Sequence, residues 1–300
     1  MFRPSNDPPG FQFTSEISEP GFAYAQARPV GPSRRLVSYY WEIQAVRCRT
    51  AVEQALPDTT VEISFNLGPT GRHVVDDSGV GNPSVSARAG WVTGPRARTL
   101  LIAKEVLDSR IVGIRLRSTT VQQVLGVPAH ELGGRMVDLD LLLGPRVERI
   151  RERMAAASSI PSRLGILEHE LIRPALGRVH GSEPQSVRAL CHALRAGTEP
   201  SIGRLAGTFG LTPRQVIALF DRYVGLKPKT WHRIARFRRV IHEAVGNPQP
   251  WARLAMQGGY FDQAHMIHEF RRLTGLTPAE YLERRTSVGN GCVPYRFANG

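Results

Sequence analysis

Residues 201–285 state one pattern twice, and an internal repeat restricts a fold more than any single motif does. Phe220-Asp221-Arg222-Tyr223-Val224-Gly225-Leu226-Lys227-Pro228 lies over Phe270-Arg271-Arg272-Leu273-Thr274-Gly275-Leu276-Thr277-Pro278 at an offset of 50. Upstream, Leu205-Ala206 with Gly210 recurs as Leu254-Ala255 with Gly259 at an offset of 49, so one residue is inserted at the turn. Two copies make a duplicated unit, not a solenoid.

Each copy reads as helix, tight turn, helix. Ser201 is a suitable N-cap, and Ile202, Leu205, Ala206 and Phe209 share one helical face. Gly210 ends that helix, Thr212 caps the next, and Pro213 takes its first position, where no amide donor is needed. Val216, Leu219, Phe220 and Tyr223 form an inward stripe, with Arg214, Gln215, Ala218 and Arg222 outward. In the second copy Leu254 and Ala255 face inward, Gly258-Gly259 turns, and Asp262 caps a helix with Met266, Ile267 and Phe270 inward. This is the helix-turn-helix layout, whose second helix enters the DNA major groove. A single such pattern also suits two helices of an ordinary bundle; matched caps, turns and basic outer faces in both copies argue against that. Between the copies, Pro228 starts a long helix over 230–245, with Trp231, Ile234, Ile241 and Val245 inward and Arg233, Arg236 and Arg239 outward.

The charge agrees with a polyanion partner. Of the formal net charge of +13, residues 184–286 hold 16 Lys/Arg against 7 Asp/Glu, a net of +9. Residues 1–183 hold 22 against 19. Cationic side chains gathered in one third of a chain displace the counterions condensed on phosphate.

Leu205-Ala206…Gly210-Leu211-Thr212-Pro213-Arg214…Phe220 and Gly259-Tyr260…Asp262-Gln263-Ala264-His265…Glu269-Phe270-Arg271…Gly275-Leu276-Thr277-Pro278…Tyr281 resemble the AraC/XylS family of bacterial transcription regulators. The resemblance covers roughly residues 185–285, and its second half is the more specific. It implies a cytoplasmic, sequence-specific DNA-binding regulator and no enzymatic activity. It also implies a small-molecule effector in an N-terminal barrel, a homodimer, and contact with RNA polymerase if the regulator activates.

The first half of the chain changes period. Tyr39, Trp41 and Ile43 alternate with Ser38, Glu42 and Gln44, and Val61, Ile63, Phe65 and Leu67 with Glu62, Ser64 and Asn66, the signature of half-buried strands. Further short strands are expected at 91–93, 99–103 and 111–116, so the region reads as an antiparallel barrel or sandwich. Helical patterns follow at 119–125, 147–157 and 163–176. Tyr40-Trp41-Glu42, Leu56-Pro57-Asp58, 63–68, Gly94-Pro95-Arg96 and Val137-Asp138-Leu139 resemble the cupin-like sensor domain that precedes the DNA-binding region in that family.

The expected fold is therefore α+β with two domains: an antiparallel, cupin-like β-barrel with helices, then an all-α domain of two helix-turn-helix units on one long helix. The expected boundaries are an irregular arm at 1–33, the sensor or dimerisation domain at 34–177, a linker at 178–184, the DNA-binding domain at 185–286 and a disordered tail at 287–300.

Enzymatic and metal motifs are absent. The barrel region offers His73 and, well beyond it, His130, too few for a metal-binding cupin. His265 and His268 have helical ligand spacing but lie on the expected DNA face without a third ligand, and no cofactor is expected. Cys48, Cys191 and Cys292 are odd in number and unpaired in spacing, which argues for a reducing compartment. No apolar run reaches the ~18–20 residues of a membrane span, and the N-terminus lacks the apolar core of a signal peptide. Cys48 stands between Arg47 and Arg49, which would lower a thiol pKa. The alternative function is thus an alkyl-acceptor DNA-repair protein using Cys48, a reading weakened by the lack of the cysteines that would hold zinc beside it.

For the DNA, base reading falls to Arg214, Gln215 and Ala218 in the first unit and to Gln263, Ala264, His265 and His268 in the second. Arg suits guanine and Gln suits adenine in bidentate geometry. Phosphate contacts are expected from Arg222, Lys229, Arg236, Arg271 and Arg272. The resemblance implies Arg where this chain has Ala218 and His268, so Gln263, His265 and Arg214 should carry more of the specificity.

Overall fold

A computed structural model describes residues 10–19, 21–45, 52–69, 71–75, 85–104, 108–178, 183–196, 201–247, 249–285 and 292–294. The N-terminal part opens with strands β1 (Phe11–Glu19), β2 (Phe22–Pro29), β3 (Val37–Ala45), β4 (Val52–Ala55), β5 (Val61–Asn66), β6 (Arg72–Val75), β7 (Val85–Ala87), β8 (Gly90–Thr93), β9 (Leu100–Lys104) and β10 (Ser109–Leu116). Helix α1 (Val121–Leu125), strand β11 (Met136–Asp138) and helices α2 (Asp140–Leu143), α3 (Arg146–Ala156), α4 (Ile160–Leu167) and α5 (Arg173–Leu176) follow, with a π-helical turn at Glu168–Ile172 between the last two. The C-terminal part comprises α6 (Glu183–Ala196), α7 (Ile202–Thr208), α8 (Pro213–Val224), α9 (Pro228–Gly246), α10 (Trp251–Gln257), α11 (Gln263–Thr274) and α12 (Pro278–Arg284), then strand β12 (Cys292–Pro294). The chain is an N-terminal antiparallel sheet domain followed by a helical helix-turn-helix domain.

The strands form two antiparallel sheets, ordered β1-β2-β3-β10-β5-β8-β11 and β12-β4-β9-β6-β7. Successive side chains of a strand alternate between faces, and in the larger sheet both faces are covered. Tyr40, Ile63, Phe65, Val112 and Ile114 pack with Val121, Ile150, Leu164 and Leu167 of the helices. Tyr24, Trp41, Trp91 and Ile111 pack on the other side with Val74 and Ala87 of the smaller sheet. Trp41 lies against β10 because its neighbour is Gly113, where an added Cβ would come within 2.4 Å of the indole. The covered polar face needs partners: Arg163 of α4 donates two bonds of 2.7 Å to Glu42, which is only 4% exposed.

Three expectations are corrected. The supposed arm contains β1 and β2, which pair along most of their length and extend β3 outward. A register shift between Phe13 and Ser15 leaves Phe11 and Phe13 in one core and Ile17 in the other. Within the supposed disordered tail, Cys292–Pro294 pair with β4. Val245, expected inward on α9, is 37% exposed near the end of that helix.

In the helical part, α6 closes the first unit as its third helix: Val187, Leu190 and Leu194 pack with Ala206, Val216, Phe220 and Trp231. The second unit has its own cores, one of Val240, Leu254, Ala255 and Met266 and one of Phe237, Ile241, Phe270, Leu273 and Tyr281. The latter is completed from the sheet domain by Leu56, fully buried beyond the end of β4. Beside it, Gln54 Nε2 donates to the Thr274 carbonyl at 2.5 Å. Asp58, 2% exposed, accepts from Arg115 of β10 at 2.6 Å and lies 3.0 Å from Arg238 of α9. The first unit is held through Gly225, the left-handed cap of α8: its φ is +73°, and a Cβ there would meet the Ala129 carbonyl at 2.5 Å. The sheet domain thus grips both units.

Burial raises the pKa of the Asp58 carboxyl, but Arg115, Arg238 and Arg96 together hold it below its ordinary value of 3.8. Its contribution to stability is therefore full above that ordinary value and is lost as the pH falls toward the depressed one. Asp58→Ala, by stranding buried arginines, should cost about 3–5 kcal/mol in urea unfolding near neutrality. The gap between wild type and variant should narrow when the measurement is repeated at ~pH 3.

Candidate nucleic-acid interface

Each second helix is set by its cap. Thr212 Oγ1 accepts from the Gln215 amide at 3.3 Å, and the Gln215 side-chain oxygen accepts from the Thr212 amide at 2.8 Å, a reciprocal capping box. Asp262 Oδ1 accepts from the His265 amide at 2.7 Å. Gly210 and Gly259, with φ of +63° and +77°, make the two sharp turns. The Leu211 and Tyr260 amides close matching turns on the Ala206 and Ala255 carbonyls, each at 2.9 Å. Tyr260 is therefore the counterpart of Leu211, and Phe261, 90% exposed, is the inserted residue.

Val216, Phe220, Tyr223 and Val224 bury one side of α8, and Arg214, Gln215 and Ala218 are exposed on the other. On α11 the buried side is Met266, Glu269, Phe270 and Leu273; Gln263, Ala264, His265 and His268 are exposed. The two faces place together the residues assigned to base reading, with one change. Bidentate recognition of adenine needs both the oxygen and the nitrogen of a Gln amide. The oxygen of Gln215 is committed to its own helix cap, so this residue is a capping group first. Ile217, 38% exposed beside Ala218, adds apolar surface on α8 that the inward stripe did not indicate.

The phosphate set divides. Lys229, Arg271 and Arg272 are exposed. Arg222 is exposed too, but its Nε donates to Gln122 of α1 at 3.2 Å and its guanidinium lies 5.4 Å from the Tyr223 ring, toward the sheet domain. Arg236 is a correction: its side chain is 15% exposed, bonded to Glu269 and to the Gly259 carbonyl, so it braces α9 against the second unit. Two cations were overlooked. Arg204 on α7 and Arg253 on α10 are both exposed, at the 49-residue offset of the repeat, each just before its Leu-Ala pair. The repeat carries that signal at the same offset as its Leu-Ala pair and its turn glycine.

Cys191 is buried among apolar side chains, and burial pushes its thiol up to about 12. Cys48, the residue of the repair reading, and Arg47 and Arg49 beside it lie outside the described residues. No described helix is long and apolar enough to cross a membrane.

Two family descriptions match the chain. "Helix-turn-helix domain" matches residues 205–284, and "Domain of unknown function (DUF6597)" matches residues 26–138. No curated protein matches. Among solved structures, unsaturated fatty acid bound ToxT from Vibrio cholerae is 10% identical, with a TM-score of 0.48, 79% of this chain and 92% of that one being covered. A second ToxT structure from Vibrio cholerae is 8% identical, with a TM-score of 0.45 over 81% and 97%. An AraC-type transcriptional regulator from Chromobacterium violaceum is 20% identical, with a TM-score of 0.32 over 37% and 100%.

Two measurements test these placements. Gln215→Ala should lower stability by about 1 kcal/mol through loss of the cap bonds, and leave base preference unchanged. Arg204→Ala and Arg253→Ala should each weaken binding to all duplexes alike and reduce the slope of log K against log salt by about 0.9, read by titration at several salt concentrations.

Proposed function

We propose that this chain, which ends in an AraC-type helix-turn-helix domain, is a transcription regulator that reads two successive major-groove segments of one duplex. The observation that carries this reading is the pair of exposed helix faces, α8 and α11, on one continuous α9. Trp231, Ile234, Phe237, Val240 and Ile241 bury the length of α9 in the cores of both units, so it acts as a rod. Major-groove segments on one side of a duplex recur every ~34 Å, and a rod fixes which pair of segments two readers can occupy together. The net of +9 over residues 184–286 supplies affinity without sequence information.

Arg214, Gln263 and His265 are the base readers in this proposal, and His268 lies a turn further along α11. Lys229, Arg271, Arg272, Arg204 and Arg253 carry phosphate. The sheet domain is the regulatory part, and its effector would act through the contacts that already join it to both units. An effector alters DNA occupancy only by the difference in its free energy of binding to DNA-competent and DNA-incompetent arrangements. The Gln54–Asp58 segment and the turn at Ala129–Leu132 are where such a difference reaches the readers.

Selection of bound duplexes from a randomised pool tests the proposal. Wild type should enrich two blocks whose centres lie about 10 base pairs apart. Arg214→Ala should cost about 1–3 kcal/mol and relax one block while leaving the other intact. Enrichment of a single block, or of none, would overturn the two-reader mechanism.

A further inference from the structure

The two units are not held in the same way. In the first, Leu211 and Leu219 pack into an apolar core. At the matching positions the second unit has Tyr260 and, at the offset of 50, Glu269. A carboxylate thus stands on the packed side of a reading helix, 6% exposed, where a leucine serves its twin.

Two arginines and a histidine face that carboxylate. Arg236 of α9 bonds Glu269 Oε2, donates to the Gly259 carbonyl at 3.2 Å and stacks 4.1 Å from the Tyr260 ring centre. Arg233 Nε lies 3.8 Å from Glu269 Oε1. His265 Nε2 lies 3.9 Å from Glu269 Oε2, one helical turn earlier on the same helix. The His265 ring is also set edge-on to Tyr260, centres 5.4 Å apart and planes at 79°. His265 is nevertheless 46% exposed, on the groove face. It therefore has one side against a fixed carboxylate and aromatic ring and the other open to solvent.

We infer that Glu269 is the positioning residue of the second reader: held by Arg236 and Arg233 from the rod, it fixes the His265 ring, and through it the base preference of α11. The inference rests on the two-reader function and adds to it which buried group sets the geometry of one reader. A side chain free to rotate in the groove discriminates poorly, because each competing base finds some acceptable rotamer. A ring confined by two neighbours offers one set of directions for its hydrogen bonds. In the first unit the position matching Glu269 is Leu219, packed in the apolar core, and Arg214 is exposed on that helix.

The test is duplex selection with wild type, Glu269→Gln, His265→Ala and the double variant. Glutamine keeps the size and one acceptor for Arg236 but removes the charge. E269Q should blunt preference within the second block at the base that H265A also affects, with the first block and the salt slope unchanged. In the H265A background, E269Q should add nothing at that base, since the effect passes through the ring. Equal loss of both blocks would mark a structural role, and an unaltered second block would overturn the inference. If E269Q does not fold, Arg236→Lys replaces it: lysine keeps a cation for Glu269 but cannot also span to the Gly259 carbonyl and stack as a plane. The same base should then lose its preference, and retention of it would overturn the inference. A wild type that enriches no sequence would instead refute the two-reader function itself.

Discussion

A carboxylate removed from water is costly unless cations and hydrogen-bond donors surround it, and Asp58 is such a group placed where two domains meet. Arg115 comes from the sheet and Arg238 from the rod, so neither domain alone provides its full complement of partners. Leu56 beside it is the apolar half of the same contact, occupying the core around Phe237 and Phe270. The charged pair gives direction and register; the leucine gives buried area. Together with Gly225 against the turn at Ala129–Leu132, they determine how both helix-turn-helix units stand relative to the sheet domain.

The two helix-turn-helix units themselves depend on α9. Its buried residues divide between two cores, with Trp231 and Ile234 in the first unit and Phe237, Val240 and Ile241 in the second. Arg233 and Arg236 are drawn to Glu269 and Arg238 to Asp58, and this is why a helix rich in cations presents fewer of them to solvent than its sequence suggests. Duplication supplied two similar scaffolds. The copies differ both at the exposed faces of α8 and α11 and on the buried side, where Leu219 of the first stands opposite Glu269 of the second.

The turns, caps and apolar stripes of the repeat were legible because they are local: Thr212-Pro213, Asp262, Gly210 and Gly259 act on residues within one turn of the chain. The alternation of β3 and β5 was legible for the same reason, but alternation alone implies one wet face. Glu42 and Ser64 are covered, because Arg163, 121 residues later, neutralises the first and the second sheet lies over the other. The exposed Gln215 amide resembles a base reader in sequence, because only the folded cap shows that its oxygen is already bonded. Arg236 and Glu269, and likewise Asp58 and Arg238, are pairs joined by tertiary packing alone, and nothing in their local sequence announces the partner.

The seat of Leu56 has a consequence for how such a chain is divided. Family boundaries place residues 26–138 and 205–284 in separate modules, yet part of the second module's hydrophobic core is supplied by the first. Recombination that exchanged the modules between relatives would carry the leucine away from its socket and leave a hole among aromatic rings. The unit of inheritance for this contact is thus larger than either module, and a graft that respects it must take the Gln54–Asp58 loop along with the helices it fills.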